Sequence, residues 1–170
     1  YYVVCDASDG AASVLWRSRD LIHWENPRGR TAGRHSTAVE LRDGRLLAMG
    51  GKNSDIDGYM PKAVSSDHGD SWEVSRTPFP ACSSGQRPCI LRLQSGRLLM
   101  CETWTLKKLW GTQKRKKNPE QFHGAHTIGY SVCRQSQDGL IHVITSNNHP
   151  CLHLCFNEAW LLSAEEPSPG

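Results

Sequence analysis

Apolar and polar residues alternate over short stretches of this chain, and the stretches recur. Residues 34–51 hold an alternating run, the pair Asp43-Gly44, and a second run opening Arg45-Leu46-Leu47. Residues 87–101 repeat the design, with Ser95-Gly96 between Pro88-Cys89-Ile90-Leu91 and Arg97-Leu98-Leu99. A weaker copy spans 129–145 around Asp138-Gly139. Apolar runs with a period of two, joined by Asp-Gly or Ser-Gly, predict hairpins, because glycine supplies the positive φ that a tight turn requires. Helical periodicity is scarce, and 15 glycines and 9 prolines punctuate the strands. The prediction is an all-β fold built of repeated hairpins.

One turn carries more information. Ser65-Ser-Asp67-His-Gly69-Asp-Ser71-Trp72 follows the pattern S-x-D-x-G-x-[ST]-W. Asp67 can fold its carboxylate onto backbone N–H groups of its own turn, and Gly69 can adopt positive φ. Ser71 adds a local side-chain bond, and Trp72 places a large ring under the turn. A degenerate version at the start of the chain keeps Ser18, Asp20 and Trp24 but lacks the glycine. Thr103-Trp104 reads as the tail of another such turn whose head is absent.

The octapeptide resembles the Asp-box (BNR) repeat of sialidases and related β-propellers. Hairpins recurring about every 40 to 50 residues fit propeller blades. The resemblance implies one partial propeller domain over 1–165, with blade-like units near 1–29, 34–80, 86–110 and 126–165, and a frayed tail at 166–170. Three to four blades fall short of the six of sialidase rings. Closure would then need another chain, such as a second copy in a homo-oligomer, or the chain is a piece of a longer ring.

Sialidase resemblance also nominates site residues. Arg34-His35-Ser36 looks like the Arg-Ile-Pro segment that supplies one arginine of the substrate-carboxylate triad, with His35-Ser36 in place of Ile-Pro. Arg87 occupies the equivalent place ahead of the next repeat. Guanidinium groups bind carboxylates bidentately, so these arginines, with His35, would hold an acidic glycan. Asp57, with Asp55 in reserve, lies in the loop where sialidases carry their acid/base aspartate, although Asp57-Gly58 also reads as a simple turn. Tyr130 resembles the strand-borne tyrosine nucleophile, and Glu158 in Asn157-Glu158 resembles its glutamate partner, here in reversed chain order. The activity that the resemblance implies is that of a sialidase-type hydrolase. The alternatives are a polysaccharide lyase acting on uronates through Tyr130 and His149, or a non-catalytic carbohydrate-binding or assembly fragment.

Composition changes this picture little. A net charge of +3 does not by itself indicate a nucleic-acid partner. The basic run Lys114-Arg115-Lys116-Lys117 reads as a solvated loop. No apolar run reaches the length of a membrane helix, and no signal peptide opens the chain. The resemblance would place the protein outside the cytosol, secreted or periplasmic, with a cytoplasmic location also open. Seven cysteines, an odd number, read mostly as small buried apolar residues. His149, Cys151, His153 and Cys155 raise a zinc alternative, but their spacing departs from the usual Cys-x2-Cys, so no metal and no cofactor are expected.

Overall fold

The computed structural model describes residues 1–51, 54–82, 87–101, 130–145 and 152–163. His149, Cys151, Thr103-Trp104, the basic run 114–117 and the tail 166–170 lie outside the described residues. The chain is all-β and folds as several small antiparallel sheets. Strands β1 (Tyr2–Asp6) and β2 (Ser13–Arg17) form the first, extended by single bridges from Arg17 to Glu25 and from Val14 to Arg30. Strands β3 (Thr37–Glu40), β4 (Leu46–Met49), β5 (Tyr59–Ser65) and β6 (Glu73–Pro80) follow in order in a four-stranded sheet. Next come the hairpin of β7 (Cys89–Arg92) with β8 (Leu98–Cys101) and the sheet of β9 (Ser131–Gln135), β10 (Ile141–Thr145) and β11 (Leu152–Phe156). A six-residue helix, α1 (Glu158–Ser163), follows β11. Among the described residues no closed ring of sheets is formed.

The hairpin turns are those the glycines require. Gly44, Gly96 and Gly139 have φ of 85°, 85° and 87°. β3 lies beside β7, and β7 beside β9. The Ile90 N–H donates to Thr37 Oγ1 at 3.1 Å, tying β7 to β3. Apolar faces close the gaps between successive sheets. Met49, Met60, Cys82 and Ile90 pack between the four-stranded sheet and the β7–β8 hairpin. Leu93, Cys101, Cys133, Ile141 and Val143 pack between that hairpin and β9–β11. Each fully buried large side chain, such as Met60 or Ile141, contributes about 1.5–3 kcal/mol. Three of the six described cysteines are buried as read from sequence, whereas Cys5 and Cys155 are exposed and Cys89 is half-buried.

The 65–72 turn satisfies itself as its residues predict. Asp67 Oδ1 accepts from the Ser71 N–H at 2.9 Å, and Asp67 Oδ2 from the Ser71 hydroxyl at 2.6 Å. Ser65 Oγ donates to Asp67 and accepts from the Gly69 N–H at 2.8 Å. Gly69 takes φ 96°, and Trp72 lies against Gly29. The glycine-free version reaches similar bonding one residue shorter. Asp20 Oδ1 accepts from the Ile22 and His23 N–H groups, and His23 Nδ1 stands 2.7 Å from Asp20 Oδ2 where Ser71 stands in the other turn. Leu21, with φ 66°, takes the left-handed conformation itself. Trp24 Nε1 donates to Leu21 O at 3.2 Å.

Candidate functional site

Arg34 and His35 immediately precede β3, Arg87 precedes β7, and Tyr130 precedes β9. Since these three strands lie side by side, residues just ahead of them meet at one end of the row. Arg87 and Tyr130 are joined by a parallel bridge, so β7 and β9 run in the same direction there. The Arg87 guanidinium carbon lies 6.0 Å from the Tyr130 ring centroid, at the limit of a cation–π contact. On the same residue, the His35 ring stands 6.1 Å away at an interplanar angle of 53°. Three separate sheets thus contribute to one group of side chains.

A fourth sheet supplies the anchor. Asp6, the last residue of β1, accepts the His35 N–H at 2.6 Å and faces His35 Nδ1 at 2.8 Å. Arg34 NH2 lies 3.9 Å from the same carboxylate, and the Ser13 hydroxyl 3.4 Å from it. Asp6 also holds His35 at φ 54°, a left-handed conformation unfavourable for a residue with a Cβ. An ionised carboxylate only accepts, so His35 Nδ1 carries the proton toward Asp6. In the neutral ring Nε2 is then the basic nitrogen. Arg34 Nε is buried without a hydrogen-bond partner among the described residues. Tyr130 as a residue is 37% exposed.

The remaining predicted residues are placed elsewhere. Asp57 is a turn residue at φ 54°, its side chain 79% exposed and 3.9 Å from Arg76 NH1. Asp55 caps the same turn, accepting the Gly58 N–H at 3.0 Å. Both take the turn role that Asp57-Gly58 also allowed. Glu158 starts α1, where Ser95 Oγ donates to it at 2.6 Å and Arg97 NH1 at 2.7 Å. Those two donors, Ser95 first, hold its carboxyl below the usual range. Ser95 belongs to the β7–β8 turn, at the far end of β7 from Arg87. The six steps of extended chain from Arg87 to Leu93 alone span about 20 Å, so Glu158 is not brought to Tyr130. His153 and Cys155 share a face of β11, and among the described residues no group of three or more His, Cys, Asp or Glu could hold a metal ion.

Asp6 was not singled out from sequence. Its position after Val3-Val4-Cys5 reads as a strand end before the Ala7–Gly10 turn, and its role arises only when β1 meets the loop ahead of β3. A separate cleft of about 740 Å³ lies at the 65–72 turn, lined by Tyr2, Arg17, Trp24, Asp67 and His68 among others. Several of its charged groups pair with each other, as Arg17 does with Glu25 and Asp70 and His23 with Asp20. The Asp6–Arg34–His35–Arg87–Tyr130 group carries the more usable chemistry. Among the described residues no helix is long and apolar enough to cross a membrane.

No family model matches the chain, and no curated protein matches it. It is similar to the crystal structure of a protein of unknown function from Dyadobacter fermentans DSM 18053, at 13% identity and a TM-score of 0.44. That similarity covers 92% of this chain but 38% of the other, so the chain spans well under half its length.

Proposed function

We propose that the chain is part of a sialidase-type β-propeller and acts as a hydrolase on glycans ending in a carboxylate-bearing sugar. The observation that carries this reading is the meeting of His35, Arg87 and Tyr130 at one end of three adjacent sheets, with Arg34 beside them on the Asp6 carboxylate. Arg34 and Arg87 offer guanidinium donors to the sugar carboxylate. Tyr130 attacks the anomeric carbon; a neutral phenol approaches an anionic sugar without charge repulsion. A phenol needs a base beside it, and His35, oriented by Asp6, takes the place assigned from sequence to Glu158. Release of a fluorogenic aglycone from a sialoside tests the reading. Wild type should turn over, Tyr130→Phe should lose at least about 100-fold in kcat, and Arg87→Lys should act mainly on KM. A wild type inert on sialosides rejects the hydrolase.

The Asp6–His35 pair beside Tyr130 also favours a second reading. A histidine base and a tyrosine acid next to arginines suit β-elimination from a uronate, with His35 in the role first given to His149. An unsaturated product absorbing in the near ultraviolet would select the lyase. If neither activity appears while the acidic sugars still bind, the cluster belongs to a non-catalytic binding module.

A further inference from the structure

Three thiols from three strands meet inside the apolar layer between the β7–β8 hairpin and the β9–β11 sheet. Cys89 Sγ and Cys133 Sγ are 3.2 Å apart, closer than two unbonded sulfurs normally rest. Cys101 is the cross-strand partner of Cys89, and its thiol also meets Cys133. Cys101 and Cys133 are 2% and 1% exposed, while Cys89 is half-buried and so is the one a reagent can reach. Among the described residues none of these groups forms a metal site. The cluster has no part in the glycan chemistry.

We propose that Cys89 and Cys133 are a disulfide-forming pair, closed by exchange with a low-molecular-weight disulfide, and that Cys101 stays reduced. Closure to a covalent length of about 2.05 Å needs a movement of about 1.1 Å. The Cys89 thiolate attacks one sulfur of glutathione disulfide and releases one glutathione thiolate. The Cys133 thiolate then attacks the Cys89 sulfur of the mixed disulfide and releases the second. Two electrons pass from the protein thiols to the reagent, whose two thiolates take up the two protons. The bond would join the chain two residues after Arg87 to the chain three residues after Tyr130, fixing the bridge between them. Hydrogen bonding between the thiols and burial push both thiols up, Cys89 chiefly through Cys133 and Cys133 chiefly through Cys101. They are therefore protonated near neutrality, and closure is slow but accelerates with pH, about tenfold per unit.

The test uses the full chain with Cys5→Ser and Cys155→Ser, which removes two exposed thiols that would pair between molecules. After incubation with glutathione disulfide, unreacted thiols are alkylated and peptides mapped by mass spectrometry. A cross-linked Cys89–Cys133 peptide pair is expected, persisting in Cys101→Ser and vanishing in Cys89→Ser and Cys133→Ser, with the stated pH dependence. The proposal is overturned if Cys89 and Cys133 both remain alkylatable after prolonged oxidation at pH 9, or if the link maps to Cys101. Mapping on the Cys101-containing protein carries the test where a variant fails to fold, and no outcome depends on glycan activity.

Discussion

Replacing Asp6 by alanine removes the acceptor of two short contacts with His35 and a longer one with Arg34. A hydrogen bond to an ionised group is worth about 1.5–3 kcal/mol. The Asp6 and His35 side chains are 27% and 19% exposed, so each contact is better set at about 1 kcal/mol after solvent screening. Strain in the His35 backbone works against this. At φ 54° it stores roughly 1–2 kcal/mol, part of which is released once Asp6 Oδ1 no longer holds its N–H. Losing Asp6 should therefore cost about 1–2 kcal/mol, or roughly 2–8 °C in Tm for a chain of this size. Asp6→Asn keeps an acceptor for the N–H and should cost about 1 kcal/mol. Urea unfolding followed by tryptophan fluorescence measures both. Weakened binding of sialic acid or glucuronate should accompany the loss, because His35 and Arg34 move together. If Asp6→Ala unfolds within about 0.5 kcal/mol of wild type, Asp6 is a bystander and the cluster has some other support.

Leu21→Gly should stabilise the chain by about 0.5–1 kcal/mol, since φ 66° suits glycine and the leucine is 54% exposed; a lower unfolding midpoint would refute that account of the shorter turn. Gly29→Ala should cost at least about 2 kcal/mol, because a Cβ there would overlap Gly69 O and press on Trp72, and a midpoint equal to wild type in urea would show that the two segments give way. Asp67, bound first by the Ser71 side chain, then by its N–H and by Ser65, has its pKa lowered to about 2. A depressed carboxylate stabilises fully above its unfolded value near 4 and loses that contribution as pH falls toward 2, so Asp67→Asn should flatten the acid limb of the pH–stability curve. An unchanged acid limb in circular dichroism titrations would contradict it. Glu158→Gln should leave kcat on any glycan substrate unchanged while loosening the Ser95–Arg97 turn, whereas a collapse of kcat with normal folding would return Glu158 to the chemistry.

Much of the fold could be read in advance because it is set locally. Asp43-Gly44, Ser95-Gly96 and Asp138-Gly139 announce hairpins, since the turn geometry depends on a glycine at the site itself. The 65–72 turn is legible for the same reason, its hydrogen bonds closing within seven residues. Arg34 and Arg87 could be nominated because each holds the same place ahead of its own strand, and Tyr130 because the residues around it resemble the sialidase tyrosine segment. Long-range placement was less accessible. Asp6 sits 29 residues from His35 in sequence, and only packing of the first sheet beside the second joins them. Asp57 looks the same to a sequence reader whether its turn faces a cleft or solvent, and the deciding contact with Arg76 comes from another strand. Asn157-Glu158 resembles the sialidase glutamate pair in sequence, and in the fold Asn157 Oδ1 accepts the Trp160 N–H at 2.8 Å and caps a helix.

The placement of Glu158 is a consequence of strand direction. β3, β7 and β9 are each the first strand of their sheet, and the bridge between Arg87 and Tyr130 shows that β7 and β9 point the same way. Whatever precedes those strands gathers at one end, and the hairpin turns that come after them gather at the other. At the first end stand guanidinium, imidazole and phenol groups drawn from several sheets, which a distortion in any one sheet would separate. At the second stand Gln94, Ser95 and Arg97, which bond across to Gln135, Ser136 and Glu158 of α1 and tie the hairpins together. The five residues of β9 alone hold the ends about 16 Å apart, beyond the reach of any side-chain hydrogen bond. A tyrosine and a carboxylate at opposite ends therefore cannot share a proton, however well their neighbours match a catalytic pair. Substitutions at the turn end should alter stability without altering substrate affinity, and those ahead of the first strands should do the reverse, Asp6 alone affecting both because it supports the backbone as well as the imidazole.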